Sequence, residues 1–156
     1  MGRRPAKPFA ERDVYRQFDF WVGSWKVIGR DGQPVGSNVI TKDEKGFLLT
    51  EKWTNAGGGT GTSINYYDPN DKKWKQTWVD AGGNVVQYEG GFEDGKMRLE
   101  GHLTRPNRDM VKSRVTYSLN DDATIRQFIE HSKDGGKTWR VYFDGRYVPQ
   151  GASEKE

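Results

Sequence analysis

The chain has 156 residues, 33% of them hydrophobic, yet it carries six Trp, seven Tyr and seven Phe, enough large rings to build the core or cavity of one folded domain. Its formal net charge of +3 resides in the first sixteen residues, where Arg3, Arg4, Lys7, Arg12 and Arg16 face Glu11 and Asp13; elsewhere the signs balance and intersperse, which argues against a nucleic-acid partner. The absence of cysteine excludes disulfides, thiolate metal sites and a cysteine nucleophile, and no apolar run approaches the ~18 residues of a membrane span.

Residues 1–9 read as a flexible basic tail, 10–148 as a single domain and 149–156 as a C-terminal tail. No apolar stretch follows the basic start, so a cytoplasmic location is expected, with a mature secreted or periplasmic chain as the alternative. Between Ala10 and Trp21, the residues Val14, Phe18 and Trp21 recur at i, i+4 and i+7, predicting a short helix that Gly23 ends. Strands are predicted at 24–30, 35–43, 46–54, 60–67, 72–80, 84–92, 95–104, 109–119, 123–132 and 137–148. Asp31-Gly32, Gly82-Gly83-Asn84, Asp94-Gly95 and Asp134-Gly135-Gly136 supply the positive φ of tight hairpins between them. Sequential strands with short turns make a meander, and a meander this long closes to remove its edges. The expected fold is therefore all-β, an antiparallel up-and-down barrel of about eight to ten strands with a short N-terminal helix.

Alternation assigns the faces. Phe47, Leu49, Glu51 and Trp53 alternate with Thr50, Lys52 and Thr54, and Trp74, Gln76, Trp78 and Asp80 alternate with Lys73, Lys75 and Thr77. The first set of each strand faces inward. A packed barrel core holds Val, Leu and Ile, so an inward row with Glu51, Gln76 and Asp80 implies water or a ligand, because a buried carboxylate without partners is costly. Asp80, followed by Gly82-Gly83, belongs near a rim, whereas Glu51 lies deeper and more desolvated.

The helix followed by Phe18-Asp19-Phe20-Trp21-Val22-Gly23-Ser24-Trp25 resembles the start of lipocalin-like and fatty-acid-binding barrels, in which a Gly-x-Trp opens the first strand and its Trp closes the barrel base. More closely, Glu51-x-Trp53, Asn65-x-Tyr67-Asp68, Trp74-x-Gln76-x-Trp78-Val79-Asp80, Arg126-Gln127 and Asp134-Gly135-Gly136-x-Thr138-Trp139 resemble an uncharacterised bacterial family of lipocalin-like, calycin-type domains, over about residues 17–148. The resemblance implies a barrel and leaves the activity open.

Binding of a small hydrophobic molecule, aromatic or cyclic, is the expected function. Its candidate contacts are Glu51, Trp53, Asn65, Gln76, Trp78, Asp80, Arg114 as countercharge, and Gln127. The alternatives are a cofactor-independent enzyme of isomerase, cyclase or hydratase type with Glu51 and Asp80 as acid and base, and a structural hydrogen-bonded network. Trp74, just after a turn, reads as core. His102 and His131 show no zinc spacing, and neither metal nor cofactor is expected. A single Asp-box pattern, Ser132 to Trp139, is turn chemistry, since a propeller needs repeats. Gly57-Gly58-Gly59 lacks the following helix and Lys-Ser/Thr of a phosphate loop and reads as a mobile connection at the barrel mouth. The protein is expected to be a monomer or homodimer.

Overall fold

A computed structural model describes residues 13–151. A single helical turn, α1 (Asp13–Arg16), and a 3₁₀ turn (Asp19–Trp21) precede ten strands. These are β1 (Gly23–Ile28), β2 (Pro34–Asp43), β3 (Leu48–Asn55), β4 (Thr60–Asp68), β5 (Lys73–Asp80), β6 (Val85–Glu93), β7 (Lys96–Thr104), β8 (Met110–Leu119), β9 (Ile125–Ser132) and β10 (Arg140–Pro149). Each strand pairs antiparallel with its sequence neighbours, and β1 pairs with β10, so the meander closes into a barrel with no free edge. No helix among the described residues is long and apolar enough to cross a membrane.

The predicted helix from Ala10 to Trp21 is shortened. Its residues before Asp13, like the first nine and the last five of the chain, lie outside the described residues. After α1 the backbone tightens into the 3₁₀ turn, in which residues three apart eclipse one another. That geometry stacks Phe18 on Trp21, with ring centres 4.7 Å apart and planes 14° from parallel, and points both rings into the barrel. They meet Tyr117 and Trp74 and seal this end, hereafter the base. Trp25 also lies there, donating its indole N–H to the Trp21 carbonyl at 2.8 Å. Trp74 is core, its Nε1–H reaching Gln17 Oε1. Phe47 departs from the inward row assigned to it. It precedes β3 at the end of a short 3₁₀ turn (Glu44–Gly46), is 41% exposed, and packs edge-on against Tyr15 outside the lumen.

At the opposite end, the mouth, side chains fix the turns. Asn55 Oδ1 accepts from the amides of Gly57 and Gly59, and Asp80 Oδ1 accepts from those of Gly82 and Asn84. In the Asp-box pattern Asp134 accepts from Ser132 Oγ and from both the amide and hydroxyl of Thr138, while Trp139 donates to the Gly136 carbonyl. These contacts hold Asp134 down at a pKa of about 2.

One inward glycine is demanded by the wall itself. On β7, Gly101 stands between Tyr88 of β6 and Ser113 of β8, whose hydroxyls meet 2.6 Å apart. A Cβ at Gly101 would lie 1.7 Å from the Gln87 carbonyl oxygen. Gly101→Ala is therefore expected to cost about 1–3 kcal/mol or more in thermal unfolding, the range of core overpacking. Gly91→Ala, where a Cβ meets nothing within 4 Å, is expected to unfold with the parent. Equal midpoints for both variants would refute the close-approach account.

Candidate functional site

Midway along the lumen, side chains from seven strands form a closed ring of hydrogen bonds. Asn38 Nδ2 on β2 donates to Glu51 Oε2 on β3 and to the Tyr147 hydroxyl on β10, each at 2.8 Å. Tyr147 donates onward to Gln127 Oε1 at 2.6 Å, and Gln127 Nε2 donates to the Tyr117 hydroxyl at 3.1 Å. From the other side, Gln76 Nε2 donates to Tyr117 at 3.1 Å and to Asn65 Oδ1 at 2.5 Å. Asn65 Nδ2 donates to Ser63 Oγ at 2.8 Å, and Ser63 closes the ring on Glu51 Oε1 at 2.6 Å. All eight side chains are buried. The period-2 geometry of strands produces this arrangement, because each residue sits at an inward position of its strand, Ser63 and Asn65 being successive inward residues of β4.

Glu51 is the only acceptor-only member, and both arms of the ring donate toward it. Burial pushes its carboxyl pKa upward, while the bonds from Ser63 and Asn38 pull it back. No cation enters the ring. The phenols of Tyr117 and Tyr147 are pushed up first by burial and then by the Glu51 charge, and Tyr88 rises to about 12, so all three remain protonated at neutral pH. Two buried side-chain atoms among the described residues lack a partner, Asn38 Oδ1 and Trp21 Nε1. A protonated Glu51 would need an acceptor, and the Asn38 amide offers one only by turning over.

Above the ring the inner wall becomes aromatic and partly exposed. Trp53, Trp78, Ile129, His131 and Phe143 face inward and keep partial exposure. The two indoles lie against the wall rather than across the lumen. A Cβ at Gly36 would be 2.6 Å from the Trp53 ring, and one at Gly61 would be 2.1 Å from the Trp78 ring. Each indole therefore occupies the place that a side chain on the preceding strand would fill. Phe143 meets Trp53 edge-on at 6.0 Å. On the facing wall Tyr142, the extra residue of a bulge in β10, stacks on His131 with centres 4.0 Å apart. Burial and the nearby Arg105 charge hold the imidazole down at about 4, so it is neutral at neutral pH.

The sequence-predicted residues separate into three groups. Glu51, Asn65, Gln76 and Gln127 come together in the ring, and Trp53 and Trp78 in the collar above it. Asp80 sits at the rim as expected, but its oxygens bind the β5–β6 turn and the Trp78 indole N–H at 3.3 Å. It positions an indole and does not pair with Glu51. Arg114 is not a countercharge in the lumen. It alternates with the buried Ser113 and Val115, so it points outward, where it binds Glu130 at 2.9 Å and lies 4.0 Å over the Trp139 ring. Ser63, Tyr117 and Tyr147, on β4, β8 and β10, also belong to the ring and are not among the sequence-predicted contacts. Asn38 was also missed, although alternation with the exposed Val39 would have found it.

Two concavities, of about 740 Å³ and about 360 Å³, lie on the outer surface. The larger one runs over β6 to β9, and among its lining residues Arg114 pairs with Glu130 and Arg126 with Asp144. No unpartnered buried polar group lines it. The described residues contain no cluster of three or more His, Asp or Glu able to hold a metal. No known family model matches the chain, and no curated protein sequence is significantly similar to it.

A raised carboxyl pKa gives a definite sign to the pH dependence. Glu51 binds its proton more tightly folded than unfolded, so its contribution is full below the unfolded value of 4.5 and is lost as pH rises through the folded value. Glu51→Gln should therefore gain stability relative to the parent as pH is raised from about 4 to 8, by about 1.4 kcal/mol for each unit of pKa separation. Paired denaturant titrations across that range check it, and a difference that is flat or falls with pH would contradict a desolvated Glu51.

Proposed function

We propose that the protein binds a small, flat hydrophobic molecule, aromatic or cyclic, in the mouth of a lipocalin-like, calycin-type barrel. The carrying observation is the pair of glycine seats. Gly36 and Gly61 let the Trp53 and Trp78 indoles lie along the wall, so two large apolar faces stay partly exposed instead of filling the lumen. Exposed rings without a partner are unfavourable, and a flat guest stacked on them would restore the lost contacts. Below this collar the hydrogen-bonded ring and the Phe18–Trp21 stack occupy the lumen, so the guest sits high and the ring is its floor. The lipocalin-like reading is supported by Gly23-Ser24-Trp25 opening β1, with Trp25 at the base beside the N-terminal turn.

Calorimetric titration with 1-naphthaleneacetamide tests the reading, since it supplies a flat ring and no charge. The parent should bind it, and Trp53→Leu combined with Trp78→Leu should weaken binding about ten-fold or more. Gly61→Val, which forces the Trp78 indole off its seat, should weaken it comparably while the far-ultraviolet spectrum stays that of a β-barrel. Absence of binding to the parent up to the solubility of the amide would overturn the proposal.

A further inference from the structure

The mouth is not electrically even. The β7–β8 loop and the β9–β10 hairpin, which form one side of it, carry Arg105, Arg108, Lys133 and Lys137, and Arg140 follows at the start of β10. Only Asp109 and Asp134 stand among them. Asp109 is tied to Arg105 at 2.9 Å, and Asp134 has its oxygens taken by Thr138 and Ser132. Among the described residues, Arg108, Lys133, Lys137 and Arg140 make no ion pair. The turns at the base have the opposite bias, with Asp43, Glu44, Asp71, Asp94, Asp121 and Asp122 outnumbering Lys45, Lys72 and Lys96. Among the described turns the positive bias therefore lies at the mouth.

The basic lip also adjoins the inner wall. Arg140 pairs across the ladder with His131, whose imidazole lies under the Tyr142 ring opposite the indole collar. A guest held between these walls would have one end at the lip, and the groups waiting there are guanidinium and ammonium that make no ion pair among the described residues. The Asp80 carboxylate across the mouth is taken up by its own turn and the Trp78 indole. A neutral guest leaves that charge unused, and a cationic one is repelled by it.

Resting on the binding reading above, we infer that the guest is an organic acid, a flat hydrophobic body whose carboxylate is met by the lip formed by Arg108, Lys137 and Arg140. Guanidinium matches a carboxylate by two parallel hydrogen bonds, and Lys137 adds a mobile charge at the same rim. The lip is solvent-exposed, so its contribution is of surface strength and responds to salt.

Three probes with one ring system separate charge from shape: 1-naphthaleneacetate, 1-naphthaleneacetamide and 1-naphthylmethylamine, titrated by calorimetry against the full chain. At about 20 mM salt the acetate should bind about ten-fold tighter than the amide, and the ammonium probe weaker than both, with the spread narrowing as salt is raised past about 0.3 M. Lys137→Glu with Arg140→Glu should lower the acetate's affinity far more than the amide's, bringing the two together or inverting their order. Lys45→Glu with Lys72→Glu makes the same charge change at the base and should preserve the preference for the acetate, which separates the lip from net charge. Equal binding of acetate and amide by the parent overturns the organic-acid inference and leaves the indole collar standing. Failure of the amide to bind the parent removes the collar and, with it, the inference.

Discussion

A carboxyl group in the middle of the barrel with no cation beside it is the constraint around which the interior is arranged. Burial alone drives Glu51 toward its neutral form, and an isolated buried carboxylate would be too costly to keep. The chain answers with amides and hydroxyls rather than with charge. Ser63 and Asn38 donate directly; on one arm Gln76 and Asn65 pass donors on to Ser63, while on the other Asn38 also donates to Tyr147, which donates onward to Gln127. Because the ring joins β2, β3, β4, β5, β8, β9 and β10, it also specifies register. A one-residue slip in any of these strands would turn its member outward and leave a neighbour with an unmet hydrogen bond.

The ring divides the lumen into two unlike halves. Toward the base the buried rings of Phe18, Trp21 and Tyr117 pack on one another. Toward the mouth the same residue type is used in the opposite sense. Glycines at inward positions of β2 and β4 draw the indoles sideways onto the wall, so large side chains line the space without crossing it. Asp80 completes the arrangement from the rim by accepting from the Trp78 indole while organising the turn that follows its strand. Among its hydrogen bonds none reaches Glu51.

Much of this was legible in the sequence, for identifiable reasons. Ten strands divided by Gly, Asn and Asp turns are a local signal, and closure follows from the lack of any other shield for the edges. The inward rows of β3 and β5 could be read because each alternates large or polar side chains with Lys and Thr. Arg114 was misplaced because β8, running Val111-Lys112-Ser113-Arg114-Val115, sets small and apolar residues inward and long charged ones outward, and an expected countercharge for Glu51 overrode that pattern. The ring's closure could not be read at all. Tyr147 lies 109 positions from Asn38 in sequence, and only the β1–β10 seam brings the two sides together. The 3₁₀ turn was hidden by a helical spacing that a tighter turn satisfies as well.

A self-satisfied ring has a consequence for recognition. Among its members and the phenols around it, every donor is engaged, and the one atom without a partner, Asn38 Oδ1, is an acceptor buried at the level of the floor. A guest therefore cannot be selected by exchanging hydrogen bonds with Gln76, Asn65 or Gln127 unless it first breaks bonds that already close on one another, at a cost that a small molecule seldom recovers. Selectivity in such a barrel has to come from above the ring. The collar supplies shape, because the distance between the indole wall and the His131–Tyr142 wall decides what thickness of molecule enters. The rim supplies polarity, because Arg108, Lys133, Lys137 and Arg140 stand there without ion pairs among the described residues. The interior can then remain fixed, rigid and tied to folding, while the choice of guest rests with a few residues on turns whose substitution leaves the ring untouched.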